Sequence, residues 1–301
     1  MPDIKPVIAG SFIRSRLLGM EGTVTVLARF TGYIYLAVAH AGDPVIVVIT
    51  LSGGRIGPLS IVLPGHRTLP LNSSARGRLR GGVIEIDALR INLHQARIHE
   101  SALKARMAPA RVPSWLEGVL RDLAPLPRRT AILPSVSAPA SPSAEARALT
   151  RLFHAGLASG HARDIAMAAG RLAGLGRGLT PGGDDFLCGF MVAVWFSAPD
   201  PIQTCMPILT AARGQTTSLS LAFLDAAAHG HVSDTWRDFL EPVSHDAPRT
   251  GVLKNVMAPG FSSGEDTLAG FIWGMQAMHM PPAALPPIPL DALSAMGGAP
   301  D

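Results

Sequence analysis

The stretch Thr23–Leu51, TVTVLARFTGYIYLAVAHAGDPVIVVITL, decides how the first third of the chain folds. Three runs rich in Val, Ile, Leu and Tyr, namely Thr23–Phe30, Tyr33–Val38 and Val45–Leu51, are parted by Gly32 and by Gly42-Asp43-Pro44. Branched and aromatic side chains suit a pleated surface, and Gly, Asp and Pro interrupt it, so each run reads as a strand. Leu59–Leu63 reads the same way. Farther on, Ile84 and Ile86 alternate with Glu85 and Asp87, and Leu89, Ile91 and Leu93 alternate with Arg90 and Asn92. Period-two alternation gives one buried and one wet face, as in antiparallel pairs. The expected product is a small antiparallel barrel or sandwich.

Beyond it the pattern changes. Pro134–Pro142 (PSVSAPASP) has the composition of a linker. Ser141-Pro142 then makes a helix start, with Pro free to occupy the first turn. Leu149, Leu152, Phe153 and Leu157 follow at helical spacing, as do Ile165, Ala169 and Leu172 within His161–Leu172. Ser218–Ala228 and Leu268–Met278 also read as helices. The chain is therefore expected to be α+β, with a β-rich domain over 1–133, a helical domain over 143–282 and a loose tail over 283–301.

Composition narrows the function classes. With 48% hydrophobic and 16% charged residues, core material is ample for 301 residues. A net charge of +4 and 5% aromatic residues argue against nucleic acid, which needs a basic face and, for single strands, stacking rings. The densest basic run, Arg76-Gly-Arg-Leu-Arg80, reads as a solvated turn. Cys188 and Cys205 form no metal spacing and no disulfide framework, which fits a reducing, cytoplasmic setting, and MPDIKPVIAG has no signal core. No membrane span is expected: Gly42-Asp43-Pro44 cuts the Tyr33–Leu51 stretch, and Phe186–Phe196 is about half of the ~20 residues a spanning helix requires.

Chemistry concentrates in Gly174-Leu-Gly-Arg-Gly-Leu-Thr-Pro-Gly-Gly-Asp-Asp185, which runs straight into an apolar helix. Such a loop leaves N–H groups unpaired at a helix N-terminus, where they hold an anion, and its glycines allow close approach. Thr180-Pro181 reads as an N-cap followed by a first-turn proline. Asp184 and Asp185 oppose an anion unless something answers their charge. Three answers are open. A divalent cation such as Mg²⁺ bridges carboxylate and ligand; Arg177 brings the anion while the acids face elsewhere; or the acids accept hydrogen bonds from a ligand N–H₂. Simple helix capping is the non-functional alternative.

The pattern recurs. Gly183-Asp184-Asp185-Phe-Leu-Cys-Gly189-Phe190 aligns without gaps on Gly264-Glu265-Asp266-Thr-Leu-Ala-Gly270-Phe271, with Ser262-Ser263 standing where Pro181-Gly182 stands. Two helix N-termini facing one cleft, with four carboxylates around it, is the expected arrangement, and such acids raise one another's proton affinity or require a cation. The hydroxyl cluster Thr216-Thr217-Ser218-Leu-Ser220 caps a helix or reaches the same cleft. His229 and His231 flank Gly230 in a helix-end turn, and Gly156 and Gly160 keep His154 and His161 off one continuous helix. There is no HExxH, P-loop or dinucleotide-binding context.

GLGRGLTPGGDDFLCGF, then TTSLS…AAAHG, then GFSSGEDTLAGF resemble, in that order, the third-subunit (AllH-like) family of oxamate carbamoyltransferase. IGPLSIVLP and the β-rich first half are also similar to it, so the resemblance runs over most of Gly22–Met278. It implies one subunit of a hetero-oligomeric carbamoyltransferase, alongside an acyl-CoA-synthetase-like subunit. The implied reaction converts oxalurate and phosphate to oxamate and carbamoyl phosphate in allantoin breakdown. The motif carries over to Gly178, Thr180, Pro181, Gly182, Gly183, Asp184, Asp185, Ser262, Ser263, Gly264 and Asp266; where the family commonly has Ser before the acid pair, this chain has Gly182-Gly183. The expected catalytic residues are Asp184 and Asp185. The expected substrate contacts are Arg177, Gly178, Thr180, Gly182, Gly183, Thr217, Ser218, Ser262, Ser263 and Gly264, and the candidate cation ligands are Asp184, Asp185 and Asp266. A non-catalytic ligand-binding or assembly subunit, or a stand-alone metal-dependent amide hydrolase, are the alternatives.

Overall fold

The structure, a computed structural model, describes residues 8–51, 54–63, 69, 71–130, 132–133, 142–241 and 249–295. The apolar runs do become strands. β1 (Ile8–Gly10) leads into α1 (Ser11–Leu18), followed by β2 (Gly22–Phe30), β3 (Tyr33–Ala39), β4 (Val45–Thr50) and β5 (Ser60–Val62). The alternating segment supplies β6 (Arg76–Arg80), β7 (Val83–Ile86), β8 (Leu89–Asn92) and β9 (Arg97–His99). They form one curled sheet, a half-barrel, in the order β8-β7-β6-β2-β3-β4-β5-β1-β9. All pairings are antiparallel except β4 with β5 and β1 with β9. In β3, Ile34, Leu36 and Val38 are buried while the residues between them are not, the pattern a one-sided core demands.

Three features of this unit depart from expectation. Arg76–Arg80 is a strand and not a turn: Leu79 is buried, the arginines point away, and a Cβ at Gly77 would overlap the Glu85 carbonyl of the neighbouring strand. The charge density had masked the period of two. Ser11–Leu18 is a helix whose Phe12, Ile13 and Leu17 are buried, and Leu93 begins a 3-10 turn instead of ending a strand.

The helices are α2 (Val112–Leu123), α3 (Ala144–Ser159), α4 (Ala162–Leu172), α5 (Gly182–Ser197), α6 (Pro201–Ala212), α7 (Ser218–Ala228), α8 (Asp234–Leu240), α9 (Thr250–Met257), α10 (Ser263–His279) and α11 (Leu290–Ala295). Contacts divide the chain into two compact units, Met1–Ala102 with His231–Asp234, and Leu103–Gly230 with Thr235–Asp301. Residues 103–133 thus count with the helices, because α2 packs on α10. The linker expected over Pro134–Pro142 lies outside the described residues, apart from Pro142 itself. Ser143, not Ser141, caps α3, its hydroxyl accepting the Ala146 N–H at 3.1 Å. Gly160 ends that helix in the left-handed conformation, so His154 and His161 do fall on different helices. Within the expected loose tail, Ile288, Leu290 and Leu293 are buried. Among the described residues, no helix is long and apolar enough to cross a membrane.

α5 and α10 form the centre of the helical unit, and both are apolar almost all round, as helices covered on every side must be. They cross on glycine. A Cβ at Gly189 would overlap the Thr267 carbonyl, and a Cβ at Gly270 would overlap the Phe186 carbonyl. One turn on, a Cβ at Gly274 would come within 2.9 Å of Ala193 Cβ. Gly189 and Gly270, Phe186 and Thr267, and Ala193 and Gly274 are each 81 residues apart, so the crossing is an approximate two-fold. Aromatic side chains flank it on both sides: Phe153, Phe186, Phe190 and Trp273 on one, Trp115, Phe196, Trp236, Phe239 and Phe271 on the other.

This packing predicts that Gly189→Ala or Gly270→Ala costs roughly 3 kcal/mol or more, since two backbones must part. For a chain of this size that is a fall in Tm of about 6–12 °C. Gly251→Ala in α9, beside open space, is expected to be neutral or stabilising. Thermal or urea unfolding of the three variants checks this, and equal effects at Gly189 and Gly251 would refute it.

Candidate functional site

The two-fold crossing brings both acid pairs to one end of the helix pair, where the members of each pair take different roles. The first acid of each copy ties down the chain around its own helix start. Asp184 accepts the Gly174 N–H at 2.9 Å and the hydroxyl of Thr216. Glu265, only 1% exposed, accepts the N–H groups of Arg129 (2.9 Å) and Thr130 (3.0 Å), the Thr130 hydroxyl (3.0 Å) and Arg129 Nε (3.2 Å). The same guanidinium also donates to the carbonyls of Gly260 and Met257, clasping the end of α9 and the loop after it. Buried carboxylates need partners; Glu265 has both a cation and hydrogen bonds, and Asp184 has hydrogen bonds.

The second acids turn inward. Asp185 is 8% exposed and Asp266 0%. Asp185 is supported by the hydroxyls of Ser263 and Thr180 on one side, yet its Oδ2 has no partner among the described residues. Neither oxygen of Asp266 has one; the Ser262 hydroxyl lies near enough to ease its charge but outside hydrogen-bond geometry. Burial drives the proton affinities up. The Asp185 carboxyl stands well above the ordinary carboxylate range, from burial first and then from the opposing charges of Asp266 and Asp184. Asp266 is pushed up to about 7, again by burial first, with Glu265 adding and Arg129 subtracting. Asp184 is raised by burial despite the Thr216 and Gly174 hydrogen bonds. Among the described residues no three His, Cys, Asp or Glu side chains converge as a metal site requires. The trio Asp184, Asp185 and Asp266 is not gathered round one point, because Asp184 faces Gly174 and Thr216.

The glycines sort into two kinds. Gly183 and Gly264 let the Leu172 and Met257 carbonyls approach, where a side chain would overlap, so packing explains both. Gly176 and Gly178, with φ of 107° and 101°, shape the loop itself. Among the described residues, the N–H groups of Gly176, Arg177, Gly178, Leu179 and Thr180 reach no acceptor, and the Arg177 side chain is exposed. That run of free donors is what an anion needs. The Thr180-Pro181 cap is corrected: Pro181 occupies the N-cap position, and the Thr180 hydroxyl meets that of Ser263 at 3.0 Å, joining the two loops. Thr217 caps α7 and donates to the Leu179 carbonyl at 2.7 Å, bracing the loop, and Ser218 opens that helix. Ser262 takes the cap position of α10 without a capping side-chain bond.

Of the hydroxyl cluster, Thr217 caps α7 and Thr216 donates to Asp184. Sequence reasoning missed Arg129 and Thr130. Arg129 and Thr130 carry no motif, and only the fold brings them to Glu265. His229, at the end of α7, bonds back to the Asp225 carbonyl at 2.8 Å, while His231 belongs with the sheet unit and meets Ser101 Oγ at 2.9 Å.

The candidate site is thus a duplicated glycine–acid helix start, crossed on itself and flanked by a loop whose N–H groups meet no acceptor among the described residues. Residues 172–275, which hold both copies and about a third of the chain, match the family model described as oxamate carbamoyltransferase subunit AllH. The match supports the family that the motifs resemble. No solved structure matches the chain.

A carboxyl with a raised folded-state pKa binds its proton more tightly folded than unfolded. Its contribution favours the fold at low pH and is lost as pH rises from 3.8 toward about 7 for Asp266. Asp266→Asn should therefore flatten the fall in unfolding free energy between pH 4.5 and 7.5. Urea unfolding at several pH values measures it, and identical pH profiles for the two proteins would contradict the assignment.

Proposed function

We propose that this chain is a subunit of an oxamate carbamoyltransferase-like complex and that it binds the carbamoyl-bearing substrate at the crossing of α5 and α10. The observation that carries the reading is the pairing, in one place, of free loop N–H donors with buried carboxylate oxygens that lack donors. The donors and the Arg177 guanidinium suit the carboxylate of oxamate or oxalurate, or a phosphate. The acids suit the carbamoyl N–H₂. The reaction moves a carbamoyl group from oxalurate to phosphate, giving oxamate and carbamoyl phosphate in purine-ureide catabolism. No nucleophilic side chain is required of this chain, so its contribution is positioning and charge stabilisation. The partner subunits, an acyl-CoA-synthetase-like chain among them, complete the machine. The resemblance to a family of subunits supports that part. The match to a transferase subunit favours transfer over metal-dependent hydrolysis.

Oxamate and carbamoyl phosphate are each expected to raise the melting temperature of the chain, alone or in its complex. At ~100 times the dissociation constant the gain is about 2.7 kcal/mol. Asp185→Asn should abolish the shift and lower carbamoyl transfer by the reconstituted complex at least tenfold. Full transfer by that variant would leave the chain an assembly subunit, and hydrolysis of an amide by the isolated chain with Mg²⁺ or Mn²⁺ would replace the reading altogether.

A further inference from the structure

Resting on that reading, we propose that Asp266, with Gly182 beside it, is the point at which the ligand's amide N–H₂ is recognised, and that Gly182 sets the choice of ligand. The argument comes from the broken two-fold. Each inward acid faces the first helical residue of the other copy. Asp185 faces Ser263, whose hydroxyl supports it. Asp266 faces Gly182, the equivalent position, which has no side chain; a Cβ built there would stand 3.1 Å from Asp266 Oδ2. Asp185 is thus left with one buried oxygen that meets no donor, and Asp266, eased only by the nearby Ser262 hydroxyl, with two. Buried acceptors without donors are costly, so a ligand that brings N–H groups to Asp266 gains what the fold withholds. The loop N–H groups donate equally well to a carboxylate or an amide carbonyl, so discrimination between amide and carboxylate falls to the inward acids, and Asp266 has the more unanswered oxygens of the two. The cover over the acids is the pair of loops that meet through Thr180 and Ser263; ligand entry parts them.

The ligand class follows: small acids carrying a primary amide or carbamoyl group are taken, and the matching diacids, which put an anion against Asp266, are rejected. Oxamate and oxalate are isosteric and differ in this one group. Sites built to hydrogen-bond a donor reject analogues lacking it by large factors. The chain is expected to bind oxamate at least 100-fold more tightly than oxalate by calorimetry at pH 7.5. In Gly182→Ser the serine hydroxyl supplies the missing donor, and oxamate affinity should fall at least tenfold. Asp266→Asn, isosteric with the native residue, should also fall at least tenfold and carries the test if Gly182→Ser does not fold. Acetamide, an amide with no carboxylate, separates the two claims. If acetamide binds and Gly182→Ser abolishes that binding while oxamate does not bind, the amide site stands and the carbamoyltransferase reading falls. If oxamate binds wild type and both variants equally, the amide site falls and the wider reading survives. Equal binding of oxamate and oxalate overturns the inference, and binding of none of the three probes overturns both.

Discussion

Everything at the functional end of the helical unit depends on one steric constraint, the contact of bare backbone with bare backbone where α5 and α10 cross. At Gly189 and Gly270 the missing Cβ lets each helix lie against a carbonyl of the other. The first turns before that contact are packed closely enough to bury all four acids, which either find protein donors or go without. Asp184 and Glu265 find them; Asp185 finds part of what it needs; Asp266 finds none. The raised proton affinities are a consequence of the crossing and not an independent property of the acids.

The same constraint explains why the residues around the site are as they are. Arg129 serves Glu265 and two carbonyls near the end of α9 at once, so the second loop is held by charge and hydrogen bonds. The first loop is held more lightly, by the Thr217 hydroxyl on Leu179 and by the Gly174 contact with Asp184. A tightly clasped loop next to a loosely clasped one, both carrying exposed apolar residues in Phe261 and Leu179, gives the site one side that is fixed and one that has fewer bonds to break.

Much of this was legible in the sequence. Runs rich in Val, Ile, Leu and Tyr between Gly, Asp and Pro located the long strands to within a residue or two, and Ser218–Ala228 matched its helix end to end. The gapless repeat of Gly-acid-acid over 81 residues announced the paired helix starts. What the sequence hid was direction. A line of residues does not say which acid of a pair turns toward its own loop and which toward its twin, and the four-carboxylate cleft resolves into two outward and two inward groups. It also hid partners that bear no pattern, such as Arg129 and Thr130, which are 136 and 135 residues from Glu265. Arg76–Arg80 was misjudged for the opposite reason: charge spoke louder than spacing, although Gly77 and Leu79 alternate with the arginines as an edge of the core should.

An internal duplication with perfect symmetry would give two equal half-sites, each satisfying its own acid, and no reason to bind anything. Function enters where the copies differ. Pro181-Gly182 against Ser262-Ser263 is the smallest difference near the axis, a hydroxymethyl group present on one side and absent on the other. Gly182 is buried while Ser262 and Ser263 are half-buried, so water dilutes the difference least on the glycine side. On the proposed reading, the repeat leaves inward acids with oxygens that meet no donor, beside a loop whose N–H groups meet no acceptor among the described residues. A ligand that is an anion at one end and an amide at the other would answer both.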